Sequence, residues 1–309
     1  MGSVKIGVGF ALSRAGLASA SEIGAFAETV EDLGLDSIWA SDHLVSRQPS
    51  LDTTALLAFM AARTRRIKLG PSVLTLPPRD PIQVAKAYAT LDHLTGGRRR
   101  VILGVGLGGD PRDSEACGVP AAERAGRMRE GVEVLRKLWS GPAVTHEGRY
   151  YRFSNVTLEP RPQGGPLDVW VGGNSDAALR RVARWADGWM PSFISPAEFG
   201  AGIERIASFA AGEGRTFDAD EAGVLVLTHL DEDGERAREA AARLFAGAPV
   251  QVATLADRTI FGTPEEAVER VRAYVAAGCR KFILFPIAPG GEIVHQVRLI
   301  ATRVLPRVA

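Results

Sequence analysis

The sequence predicts an α/β fold, a (β/α)8 TIM barrel with insertions. Three observations carry the prediction: eight short apolar, β-branched runs recur along 309 residues, amphipathic segments separate them, and no linker interrupts the series. Residues 1–309 therefore read as one barrel domain, and a hydrophobic content of 46% is enough to fill one large core.

The strand-like runs fall, in order, at Val4 to Gly9, Ser37 to Ser41, Ile67 to Leu74, Val101 to Leu107, Leu167 to Gly172, Gly188 to Pro191, Ala222 to Thr228 and Lys281 to Pro286. Helix starts between them are legible from capping chemistry, because a side-chain oxygen must satisfy the free amides of a first turn. Ser19 with Glu22, Ser195 with Glu198, and Thr263 with Glu266 are spaced as capping boxes. Pro196 and Pro264 suit the first helical position, and Asp80-Pro81 reads the same way without the box.

Two connections exceed what a barrel needs, around 108–157 and 247–261. The first holds a Gly/Asp/Pro-rich loop, a helix near Arg124 to Trp139, and an alternating stretch from Ala143 to Phe153 whose central Gly148 suggests a hairpin. Long insertions in compact domains serve as lids or binding loops more often than as filler.

Lys plus Arg number 37 and Asp plus Glu 36, so no strong field draws the chain to nucleic acid or a membrane, and a small-molecule substrate is expected. Cys117 and Cys279 are too few for a disulfide framework or a Cys-rich metal knuckle. The N-terminus enters a strand-like run almost at once and no apolar run reaches membrane-spanning length, so a cytoplasmic location is expected.

Chemistry is expected where strands end, since barrel sites sit at the C-terminal face. The run ending Ser41-Asp42-His43 puts a carboxylate beside the side chain best suited to shuttle a proton near neutrality, although the pair could merely cap the following loop. None of the five lysines lies at a strand's C-terminal end, which weighs against a Schiff-base aldolase, and the five histidines show no paired spacing for a metal. Gly104-Val105-Gly106-Leu107-Gly108-Gly109 matches GxGxxG formally, but Asp110-Pro111 follows where a helix should open. Those glycines are better read as letting a flat ligand lie against the backbone. Gly172-Gly173-Asn174-Ser175 follows a strand and opens a helix, which makes a phosphate cradle or an ordinary Asn/Ser cap, with Asp176 mildly opposing an anion. Phe10, Trp189 and Phe193 are candidates for the apolar lining of a substrate pocket.

Taken together, the segments Leu33 to His43, Pro78-Arg79-Asp80-Pro81, Asp92 to Arg98, Gly104 to Gly108, Glu147 to Tyr151, Val171 to Ser175, Ala186 to Trp189 and Phe261 to Glu266 resemble the luciferase-like monooxygenase superfamily, and within it the F420-dependent oxidoreductase branch. The resemblance implies a luciferase-like barrel holding a deazaflavin at its C-terminal face, with Asp42 and His43 beside the ring. It further implies ring contacts from Ser72, Val73 and Thr75, the peptide Ser72-Val73 aligning with a non-prolyl cis bond in deazaflavin relatives. Gly106 and Gly108 would border the cofactor and Gly172, Gly173, Asn174 and Ser175 its phosphate. No metal is implied, and a homodimer is expected on family grounds. The cofactor expected is coenzyme F420, which transfers hydride; FMN is the alternative, with a separate flavin reductase feeding a monooxygenase. The sequence departs from sugar-phosphate-oxidising relatives at Gly109, where their acidic proton donor is not recognisable. A non-catalytic flavin carrier and a phosphosugar isomerase barrel are the remaining readings.

Overall fold

The computed structural model describes residues 3–10, 18–45, 49–97, 99–244, 255–288 and 290–308. The first half runs β1 (Lys5–Phe10), α1 (Ala20–Asp32), β2 (Ser37–Ala40), α2 (Thr53–Arg63), β3 (Lys68–Pro71), β4 (Leu74–Thr75), α3 (Pro81–Leu94), β5 (Leu103–Gly106), α4 (Pro111–Glu115), α5 (Arg124–Ser140), β6 (Val144–Glu147) and β7 (Arg152–Val156). The second half runs β8 (Val169–Gly172), α6 (Asp176–Trp185), β9 (Gly188–Met190), α7 (Pro196–Gly212), β10 (Gly223–Leu230), α8 (Gly234–Leu244), β11 (Ile260–Gly262), α9 (Pro264–Ala276), β12 (Lys281–Pro286) and α10 (Ile293–Leu299).

Parallel pairing orders the strands as β11-β10-β12-β1-β2-β3 and β4-β5-β8-β9. Single parallel bridges cross both seams, Leu69 to Val101 on one side, Trp189 to Ala222 and Ser192 to Leu225 on the other, and complete the barrel circuit. The predicted run Ile67 to Leu74 is one barrel position in two pieces, divided at Ser72-Val73, whose peptide bond is cis. All three capping boxes form, and Asp80 accepts from the amides of Ile82 and Gln83.

Strand alternation sorts the core into two layers. Trp39, Ile102, Trp170, Met190, Ile283 and Phe285 fill the barrel interior, while Ile6, Val8, Phe10, Ile38, Trp189 and Phe282 pack outward with the helices. The inward positions of β1 are Gly7 and Gly9 because larger neighbours already occupy that space: a Cβ on Gly9 would lie 1.8 Å from the Phe285 ring.

Of the insertions, the stretch around 108–157 contains α4, α5 and the antiparallel hairpin β6–β7. Glu130 of α5 pins the hairpin turn, its buried carboxylate accepting from the amides of Tyr150 (3.0 Å) and Tyr151 (2.8 Å). In the stretch 247–261, residues 247–254 lie outside the described residues. Its end is not a loop: Ile260–Gly262 is a strand alongside Thr228 to Leu230 of β10. Among the described residues, no helix is long and apolar enough to cross a membrane.

Candidate active site

The C-terminal ends of β2, β4, β5, β8 and β9 surround a cleft of about 470 Å3. Asp42, His43, Ser72, Val73, Thr75, Gly106, Gly108, Gly172, Gly173, Asn174 and Ser175 all line it. Residues read from separate segments of the sequence are thus brought to one surface, at the barrel end where such folds place chemistry.

Asp42 is a structural knot as well as a lining residue. One carboxylate oxygen accepts from Arg79 (2.9 Å) and from the Thr53 hydroxyl (3.0 Å), the other from the amide of Thr75 (2.8 Å). Its side chain is fully shielded from solvent. Asp42 thus lines the cleft beside His43 while its carboxylate ties the end of β2 to Thr53, to β4 and to the loop at Arg79. His43 is exposed, lines the cleft and has no hydrogen-bond partner among the described residues. Asp110 lies close enough for mutual attraction with it; the Arg112 guanidinium beside Asp110 holds that carboxyl down to about 2, with His43 adding a smaller pull. Of the remaining histidines, His146 and His229 are buried and bonded, His146 to Glu130 and His229 to the Ile287 carbonyl.

Gly106 of β5 and Gly108 just beyond it line the cleft and also make room for their neighbours. A Cβ on Gly106 would lie 2.4 Å from a Val73 methyl, and one on Gly108 would lie 2.7 Å from the Thr75 methyl. Their first task is to admit the side chains of the cis segment; the ligand-facing surface there is Val73 and Thr75 as much as bare backbone. At the cradle, Gly173 has φ 105°, a conformation glycine adopts at no steric cost. Ser175 caps α6 by accepting from the Ala178 amide, leaving the amides of Asp176 and Ala177 as free first-turn donors.

The apolar candidates need correction. Phe10 and Trp189 do not line the cleft: Phe10 shares parity with Ile6 and Val8 and packs on Phe26, with ring centroids 4.8 Å apart, and Trp189 stacks on Phe199 at 5.4 Å. Both point into the helix layer. Trp189 touches the site indirectly, its indole N–H donating to the Gly173 carbonyl (2.8 Å). Phe193 stands one residue past the cleft-lining Ser192 and is 41% exposed at the rim. Met190, with the opposite parity to Trp189, supplies the apolar lining instead, together with Leu107 and Leu225. Sequence reasoning also missed Arg79 and Arg181; alternation along β1 and β9 would have corrected Phe10 and Trp189, and counting down α6 from Ser175 would have found Arg181.

The cleft has room for a small molecule with polar groups. Its volume lies within the range of about 300–1,000 Å3 usual for small-molecule sites. Ser72 Oγ and Arg181 Nε are shut off from solvent without a hydrogen-bond partner, so a ligand has polar groups to satisfy. Among the described residues, no group of three or more His, Cys, Asp or Glu is placed to hold a metal.

A parallel barrel with a glycine-rich cleft and a histidine at its C-terminal mouth defines a barrel enzyme that handles a small molecule. The sequence profile of the luciferase-like monooxygenase family matches residues 4–281, and the chain belongs to that family of oxidoreductases. It is 31% identical to the 5,10-methylenetetrahydromethanopterin reductase of Archaeoglobus fulgidus, over 93% of this chain and 96% of that protein. It is 32% identical to the F420-dependent glucose-6-phosphate dehydrogenase of Nakamurella multipartita, over 93% and 92%. Among solved structures, the monooxygenase RslO1 from Streptomyces bottropensis superposes with a TM-score of 0.85 at 26% identity, over 99% of this chain and all of that one.

Proposed function

We propose that the protein is a coenzyme F420-dependent oxidoreductase that moves hydride between the deazaflavin and a small organic substrate. The observation that carries this reading is the single cleft uniting His43, the Ser72-Val73-Thr75 segment and the Gly172 to Ser175 turn. The F420-dependent relative, matched over nearly its whole length, supports it. Coenzyme F420, when bound, supplies a carbon centre that gives or takes hydride.

The chain's own residues do the rest. Gly172, Gly173 and the start of α6 would hold the phosphate on backbone donors. Ser72, Val73 and Thr75 would hold the ring, with Ser72 Oγ as an available hydrogen-bonding group. Asp42 keeps Thr75 in place through the amide it accepts from. His43 would give or take, at an imidazole nitrogen, the proton that accompanies hydride transfer, and with no hydrogen-bond partner among the described residues that nitrogen is open to substrate.

Titrating the protein with F420 and with FMN, followed by fluorescence, tests the reading. Tight binding of F420 with weak binding of FMN is expected; the reverse order would overturn it. A second reading, a reduced-FMN monooxygenase supplied by a separate reductase, is favoured by the likeness to RslO1. Substrate-dependent oxygen uptake with reduced FMN would establish that alternative.

A further inference from the structure

Helix α6 carries a run of arginines whose side chains meet different fates. Arg180 lies over the Phe209 ring, 3.9 Å from its centroid, and Arg184 pairs with Glu213 at 2.7 Å. Arg181 has neither: it is half-buried, it lines the cleft, and its Nε has no acceptor among the described residues. The nearest acidic candidate on the helix, Asp176, is engaged by Arg205. Burial lowers the pKa of Arg181, and no carboxylate offsets it.

Helix geometry says where this guanidinium goes. Ser175, Ala178 and Arg181 are spaced at i, i+3 and i+6, and all three line the cleft. Side chains on a helix lean toward its N-terminus, so Arg181 leans toward the Gly172 to Ser175 turn. Guanidinium is the group that best grips a tetrahedral oxyanion through two parallel N–H bonds, and burying half of it without an anion is unfavourable.

We propose that Arg181 is the counter-ion of the turn, binding the phosphate of a phosphorylated cofactor seated on Gly172 to Ser175. This rests on the cofactor reading above for the identity of the ligand; the class of group recognised, a phosphate ester, follows from the guanidinium and the backbone donors beside it. The turn supplies neutral donors and Arg181 the full charge, so binding should depend on salt in proportion to that one contact.

The test titrates wild-type protein, Arg181→Gln and Arg181→Lys with F420 and with its phosphate-free deazaflavin riboside, by fluorescence at low and high salt. Arg181→Gln should weaken F420 by about 10- to 100-fold, leave the riboside within about twofold, and flatten the salt dependence; Arg181→Lys should recover part of the loss. Equal losses for both ligands would assign Arg181 a packing role and overturn the proposal, as would unchanged F420 binding. Should wild type bind neither deazaflavin, the cofactor reading fails, and thermal shift with inorganic phosphate and with FMN then decides on Arg181 alone. Stabilisation by either, lost in Arg181→Gln, would keep the anion site; no difference between the proteins would remove it.

Discussion

The two mouths of the barrel are built on opposite terms. At the N-terminal mouth Lys5, Lys68 and Lys281 surround Trp39 and Trp170, leaving a void of only about 10 Å3. Polar groups there find partners: Lys281 pairs with Glu221 and lies 5.0 Å from the Trp170 ring centroid, and the Trp39 indole donates to Ser37 at 2.9 Å. Among the buried side-chain atoms described there, the Trp170 N–H goes without a partner. At the C-terminal mouth glycines replace bulk, the cleft opens, and Ser72 Oγ, Arg181 Nε and the His43 ring have no hydrogen-bond partner among the described residues. The difference is one of closure: side chains fill the first mouth, whereas the second keeps an open cleft lined by polar groups that a ligand can engage.

His43→Ala breaks that asymmetry most sharply. Turnover with F420 should fall by about 100- to 10,000-fold, while F420 affinity stays within about twofold, because His43 makes no bond that positions the cleft. Steady-state rates beside fluorescence titration separate the two; unchanged turnover would remove His43 from proton transfer. Gly173→Glu should act on the other quantity. It forces a side chain onto φ 105° with its Cβ 3.1 Å from that of Ala178, and sets a carboxylate where the turn offers donors to an anion. F420 affinity should drop by about 100-fold or more, about 2.7 kcal/mol.

Asp42→Asn and Lys281→Met test which mouth bears stability and which bears binding. Losing the carboxylate leaves Arg79 without its buried charge partner and weakens the grip on the Thr75 amide; unfolding free energy should fall by about 3 kcal/mol, with cofactor affinity falling as well. Lys281→Met removes a pair at the closed end and should cost about 1 kcal/mol with no change in affinity. Denaturant melts with and without F420 read both. A large affinity loss in Lys281→Met would mean that the two mouths are coupled through the barrel interior.

How much of this was legible beforehand follows from what each signal encodes. Capping boxes such as Ser195 with Glu198 are local, four-residue statements, and they formed as read. The strand runs were legible because burial on both faces leaves a continuous apolar stretch. For the same reason they hide which face each residue takes: position near a strand end points Phe10 and Trp189 to the pocket, and parity sends them into the helix layer. The Asp42 carboxylate looked chemical because it stands beside His43, but its partners Thr53, Thr75 and Arg79 come from three other segments that only the fold assembles. Arg181 was invisible for the converse reason: an arginine on an amphipathic helix is ordinary until its neighbours are seen to be paired and it is not.

Trp189 leads to the mildest prediction and the one that best defines the boundary between frame and cleft. Its ring stacks on Phe199, and a Cβ on Gly202 would lie 2.2 Å from it, so α7 is packed against the indole itself. From that fixed position its N–H holds the carbonyl of Gly173, which sets the tilt of the peptide whose neighbours would face a bound phosphate. Trp189→Phe keeps most of the apolar burial and removes the hydrogen bond, which is worth about 1 kcal/mol. F420 affinity should fall about threefold to tenfold, the phosphate-free riboside should be unaffected, and His43-dependent turnover at saturating cofactor should be unchanged. Loss of riboside binding to the same degree would show that the indole supports the whole cleft. No loss for either ligand would show that the backbone of β8 and α6 holds the turn unaided.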